Sequence, residues 1–198
     1  MDLTNVPMAV WIYVTAMIGS RFAFRHRECV TAAPEGSLPE SPWRGAILCL
    51  LPLGLMQLGP FVEYILRYRA AVEAGVPAHL AKALPATMYA GTLVFFAGTV
   101  LAAVASRHLA ESWSEDSDAL CTGGLYAIIR HPMYAGYLIQ GAGCGLMMGA
   151  VWAWALYGLA AGLILLRVFA EDRDLARRAP AAFQAYSARV RRLLPFVF

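Results

Sequence analysis

The sequence predicts an all-α integral membrane protein, with about five transmembrane helices followed by C-terminal cytoplasmic helices. Three observations carry that prediction. Hydrophobic residues fill 60% of the 198 positions and charged residues 15%, with a mean hydropathy of +0.56; a soluble domain averages about 45–50% apolar and about 25% charged. Several apolar runs approach the roughly 20 residues a helix needs to cross a bilayer. Basic residues gather beyond the last run, at Arg173, Arg177, Arg178, Arg189, Arg191 and Arg192.

The first run, about 7–24, has the length of a signal peptide. Asp2 precedes it, however, and Arg21, Arg25 and Arg27 follow it, so it reads as a retained membrane helix. Pro34, Gly36, Pro39 and Pro42 mark a loop, after which a second span is expected over 44–66. The segment 67–83 carries Arg67, Arg69, Glu73 and Lys82 and is expected to lie along the membrane surface. A third span follows over 84–105, then a polar loop from Ala105 to Arg130 that includes Glu111, Glu115, Asp116 and Asp118. Spans over 133–149 and 151–170 meet at Gly149-Ala150 and predict a tight helical hairpin. Gly141, Gly145 and Gly149 form a small-residue stripe, which lets helix backbones approach closely. From Glu171 to Arg192 the pattern is helical again, with Leu175, Phe183, Tyr186 and Val190 inward and a break at Pro180.

Positive charge sets the orientation. With the amino terminus outside, the cytoplasmic segments hold Arg21, Arg25, Arg27, Arg44, Arg107, Arg130 and the basic tail, against Arg67, Arg69 and Lys82 opposite. No nucleic-acid module accompanies the tail, so the bilayer surface is its expected partner. The chain reads as one membrane domain, with three spans over 1–105 and the hairpin and tail over 106–198. Cys29, Cys49, Cys121 and Cys144 lack CxxC spacing and predict free thiols. His108 and His131 are isolated and there is no HExxH, so no metal is expected. Gly141-x-Gly143-x-Gly145 lies inside an apolar helix and follows no strand, which favours close helix packing over nucleotide binding.

The candidate site is Gly124-Leu-Tyr126-Ala-Ile-Ile-Arg130-His131-Pro132-Met-Tyr134-Ala-Gly136-Tyr137, at the mouth of the fourth span. Pro132 suits the first turn of a helix, and it biases His131 away from helical geometry. The helix end offers free N–H groups to a carboxylate or phosphate, and Arg130 adds a bidentate charge. Two readings stand side by side: a ligand site, or an interfacial belt of Tyr and Arg that anchors helix ends. Glu171-Asp172, on the same face, would hold an ammonium or accept a proton; equally, it would be a solvated helix start paired with nearby arginines.

Three elements in order carry a resemblance. They are Leu120-x-x-Gly123-x-x-Tyr126-x-x-x-Arg130-His131-Pro132-x-Tyr134-x-Gly136, then Glu171-Asp172-x-x-Leu175, then Tyr186-x-x-Arg189-Val190-x-x-x-Leu194-Pro195. Over about Leu109 to Pro195 the chain resembles the isoprenylcysteine carboxyl methyltransferase family. That family looks related to phospholipid N-methyltransferases and, more distantly, to membrane sterol reductases. The resemblance implies S-adenosylmethionine as cofactor, bound on the cytoplasmic side between hairpin and tail. It places contacts on Tyr126, His131, Pro132, Tyr134, Gly136, Glu171 and Asp172. The family usually has Glu-Glu where this chain has Glu171-Asp172, a Phe/Tyr-Gly step where it has Ala179-Pro180, and a tyrosine where it has Phe183.

The implied function is methyl transfer to a membrane-embedded, lipid-like acceptor. A prenylcysteine-type carboxylate leads, with Arg130 holding it. A phosphatidylethanolamine-type amine is next, and it needs Glu171 or His131 as base. Two other classes remain: a nicotinamide-dependent reductase, which would need more basic residues near the motif, and a non-enzymatic membrane subunit in which Arg130 and Glu171 form a structural ion pair.

Overall fold

A computed structural model describes residues 42–77, 86–115 and 120–193. The expected first span, Arg21, Arg25, Arg27, Cys29, Asp116, Asp118 and Leu194-Pro195 lie outside these residues. The described residues form helices α1 (Pro42–Glu73), α2 (Ala86–Glu115), α3 (Pro132–Met148), α4 (Val151–Arg178) and α5 (Pro180–Arg189), with a 3-10 turn over Gly124–Ala127 before α3. The all-α expectation holds for them. Among the described residues, two helices are long and apolar enough to cross a membrane, Ala86–Leu109 and Val151–Arg178.

Two expected boundaries move. Of the expected surface segment 67–83, residues 67–73 continue α1 to Glu73 and Gly75 then turns the chain at φ +76°; 78–83, with Lys82, lie outside the described residues. Glu63–Arg67 and Arg69–Glu73, each four apart, pair along this polar end and favour continued helix. Likewise α2 runs ten residues into the expected polar loop, to Glu115. Polarity does not stop a helix, and no Gly or Pro interrupts the chain between Gly98 and Gly123.

The helices alternate in direction, the up-and-down arrangement of a bundle. The tightest pair is α2 on α3. A Cβ on Gly143 would lie 2.5 Å from the backbone N of Phe95, and one on Gly98 would lie 2.6 Å from the carbonyl oxygen of Gly136. Gly136 in turn faces Ala102, and Gly91 faces Gly143. Close backbone approach of this kind is how helices associate where lipid supplies no hydrophobic drive. The small residues that carry it are Gly136 and Gly143, seven apart, so the expected Gly141–Gly145–Gly149 stripe is corrected. Gly145 faces the Trp154 ring and Gly149 caps α3 at φ +62°. Seven residues bring a straight helix back to the same side, whereas a four-residue stripe drifts off it.

Between the two glycine contacts lies Gln140, fully buried. Its Nε2 donates to Thr99 Oγ1 at 2.9 Å, and its Oε1 accepts from Gln57 Nε2 at 3.4 Å. This chain of polar groups joins α1, α2 and α3 in otherwise apolar surroundings, where an unmade hydrogen bond would be costly. At one end of the bundle, Arg67 Nη2 donates to the carbonyl of Met148 at 3.1 Å and so caps α3. The opposite end carries the motif.

Candidate active site

Pro132 occupies the first turn of α3, as expected, and His131 before it has φ −126° and ψ 58°, outside helical geometry. At about 1.5 Å per residue, the 17 residues of α3 make it the shortest of the four bundle helices, α2 and α4 having 30 and 28. The mouth of α3 is therefore set back between the longer α2 and α4. The turn Gly124–Ala127 is tied to α2 through Leu125 N–H, which donates to His108 Nδ1 at 3.3 Å. A side chain at Gly124 would strike that imidazole, and its φ of +57° favours glycine.

The acidic pair does not begin or end a helix. Both residues sit within α4, which continues without interruption to Arg178. Asp172 is buried and accepts three side-chain donors. Arg130 Nη1 at 2.9 Å and Arg192 Nε at 2.7 Å share its Oδ2, while His131 Nε2 lies 2.9 Å from Oδ1. The ion pair that the non-enzymatic reading drew between Arg130 and Glu171 is instead Arg130–Asp172. Asp172 lies one residue further round α4, and that rotation directs its short side chain at the motif. Burial lowers the Arg130 pKa from its ordinary value, and Asp172 acts against that shift. Arg130 lies over the Phe183 ring at 5.5 Å, and its Nε has no partner among the described residues. A buried guanidinium needs the paired charge that Asp172 supplies.

Glu171 faces a different set of neighbours and is about one-third exposed (32%). Its Oε1 accepts from Tyr134 Oη at 2.6 Å and from Arg167 Nε at 3.0 Å. Its Oε2 lies 3.8 Å from His131 Nδ1, too far for a direct hydrogen bond. Tyr134 also lies against His131 and Tyr137, at ring-centroid distances of 6.0 and 6.1 Å.

The tail closes over this end of the bundle. Pro180 breaks the helix as expected, at Ala179, and α5 follows. Tyr186 and Val190 are buried, Leu175 and Phe183 half-buried, matching the four positions read as inward. After α5 the chain pairs in parallel with the motif. Arg130 N–H donates to Arg191 O at 2.7 Å and His131 N–H to Arg192 O at 2.9 Å. Tyr186 Oη donates to Tyr126 O at 2.7 Å, and burial raises the Tyr186 pKa, keeping this hydroxyl a donor.

Of the expected site residues, Arg130, His131, Tyr134, Glu171 and Asp172 therefore form one cluster. Pro132 starts the helix beneath them. Gly136 is engaged in the contact with α2, and Tyr126 is buried with Ala105 and Cys121 beside the tail. Arg192 and Arg167 join the cluster unforeseen. Arg167 was legible as the residue four before Glu171. Arg192 is 20 residues from Asp172 in sequence, and it reaches it only because the tail pairs with the motif.

No curated protein and no solved structure matches the chain. The family model described as phospholipid methyltransferase matches residues 86–177, which span α2, the motif, α3 and the acidic pair but stop short of Tyr186 and Arg192. Over that stretch, the chain is similar to a membrane methyltransferase family related to the phospholipid N-methyltransferases, as the motif resemblance implied.

Proposed function

We propose that this chain moves a methyl group from S-adenosylmethionine to a lipid-like acceptor that reaches the mouth of α3 from the bilayer. The observation that carries the reading is the cluster of His131, Tyr134, Glu171 and Asp172, built inside the stretch that matches phospholipid methyltransferases. The residues present suit the cofactor. Glu171 Oε2 has no hydrogen-bond donor among the described residues and would hold an ammonium. The first turn of α3 has no side-chain cap, so its N–H groups and the nearby arginines would meet a carboxylate. Tyr126, Pro132 and Gly136 would frame the ligand, and Asp172 would support it from below.

When bound, S-adenosylmethionine supplies an electrophilic methyl group on a sulfonium. The protein's part is then alignment and exclusion of water more than acid–base chemistry. Tyr134 and Arg167 fix one oxygen of Glu171 and so aim the other. The paired tail segment after α5 and Tyr186 cover the motif. By the distribution of basic residues, this end of the bundle faces the cytoplasm.

Two acceptors divide the support. The family match favours a phospholipid-type amine, and Arg130's engagement with Asp172 weakens its role as holder of a substrate carboxylate. A prenylcysteine-type carboxylate keeps one specific observation, the unpartnered Nε of buried Arg130. Calorimetry with S-adenosylhomocysteine on detergent-purified protein, beside His131→Ala and Glu171→Ala, tests the cofactor. Micromolar binding lost in both variants is expected; no binding by folded wild type would sink the reading. Methyl transfer to phosphatidylethanolamine or to a prenylated cysteine then separates the acceptors.

A further inference from the structure

We infer that Asp172 is a positioning residue that makes His131 the proton acceptor for a lipid amine, by fixing which imidazole nitrogen carries hydrogen. This inference rests on the methyl-transfer reading with an amine acceptor. Asp172 Oδ2 is held by Arg130 at 2.9 Å and Arg192 at 2.7 Å, so the carboxylate cannot rotate freely. Beside two guanidinium groups it serves as an acceptor, and the 2.9 Å contact to His131 therefore needs hydrogen on Nε2. In the neutral ring that leaves Nδ1 bare. Nδ1 is the nitrogen that faces Glu171 Oε2, across 3.8 Å, too long for a direct hydrogen bond but short enough for an ammonium beside the pair to reach both atoms.

The groups around the ring are Asp172 and Glu171 from α4, Tyr134 from α3, Arg130 beside it, Arg192 from the tail and Arg167 through Glu171. A protonated His131 would lie between two carboxylates. The step balances: a lipid ammonium gives one proton to Nδ1, and the freed lone pair forms the N–C bond. The S–C bond of the sulfonium breaks, and its electron pair returns to sulfur. His131 then passes its proton to water, since this side of the site, at Glu171, is partly exposed.

The decisive variant is Asp172→Asn. Arg130 and Arg192 would take the amide oxygen, turning the NH2 toward Nε2. Nε2 must then accept, and the proton moves to Nδ1, which removes the base with a side chain of the same size.

The experiment is nitrogen-15 NMR of histidine-labelled full-length protein in detergent, with His131 assigned through His131→Gln. Binding of S-adenosylhomocysteine and methylation of phosphatidylethanolamine vesicles are measured beside it. In wild type at alkaline pH, the Nε2–H tautomer is expected, and in Asp172→Asn the Nδ1–H tautomer. At saturating S-adenosylmethionine the variant's kcat should fall about 10²–10⁴-fold and recover as pH rises and the amine deprotonates unaided. An Nδ1–H tautomer in wild type overturns the inference even if the variant fails to fold. So does a variant with the wild-type pH profile. If folded wild type binds no S-adenosylhomocysteine, the methyl-transfer reading falls and this inference with it. Intact binding with the wrong tautomer removes this inference alone.

Discussion

Arg130 and Asp172, 42 residues apart in sequence, meet at 2.9 Å with side chains 9% and 8% exposed. The contact fastens the mouth of α3 to the C-terminal third of α4. Because Arg192 shares the same oxygen, it fastens the tail to both. Removing one partner of a buried pair leaves an uncompensated charge, at a cost of about 3–5 kcal/mol. Arg130→Met should fall near the lower end, since Arg192 and His131 still meet the carboxylate, and thermal unfolding in detergent measures it. A wild-type melting temperature would show that the pair contributes nothing.

The α2–α3 seam predicts a contrast between glycines. Gly143→Ala places a methyl group against the backbone of Phe95 and should destabilise by about 1–3 kcal/mol, as overpacking does. On α4, nothing lies within 4 Å of a Cβ at Gly158, so Gly158→Ala should be neutral or stabilise by up to about 1 kcal/mol through helix propensity. Melting temperatures of the two variants in the same detergent decide it. Equal effects would mean that the seam is not close-packed.

Tyr134 aims Glu171 through a 2.6 Å hydrogen bond. In Tyr134→Phe, Arg167 alone holds that oxygen, and the carboxylate gains freedom. If Glu171 holds the ammonium of the cofactor, S-adenosylhomocysteine affinity should weaken about tenfold, equivalent to about 1.4 kcal/mol. Calorimetry on the folded variant gives the number, and an unchanged Kd would separate Tyr134 from cofactor binding.

Tyr186 joins the tail to the motif by donating to the Tyr126 carbonyl at 2.7 Å in a buried setting. Tyr186→Phe leaves that carbonyl without this donor, at about 1–3 kcal/mol. The expected sign is faster amide exchange at residues 180–193 than in wild type, with α2 and α3 unaffected. Exchange unchanged across the tail would show that the strand pairing at Arg130 and His131 suffices alone.

Much of this protein is settled by local chemistry that a single chain carries. Apolar runs long enough for a bilayer marked the helical class, Pro132 set the start of α3, and Pro180 placed the break before α5. The motif and the acidic pair were legible because ionisable groups are rare in so apolar a chain, and each one stands out. Helix ends were less legible. Glu63–Arg67 and Arg69–Glu73 carry α1 past its apolar run, and uninterrupted helix formers do the same for α2, so the onset of charge did not mark the helix end.

What the tertiary structure decided is who meets whom. Side-chain rotation around α4 sends Asp172, rather than Glu171, to Arg130, and a neighbour in sequence differs by about 100° in direction. Arg192 joins that carboxylate through a short backbone pairing between distant segments, which leaves no periodic mark in either. Gly136 and Gly143 became the seam because α2 presents Gly91, Gly98 and Ala102 to them. A small residue is a contact only where another backbone comes to fill its space, and that depends on the partner helix.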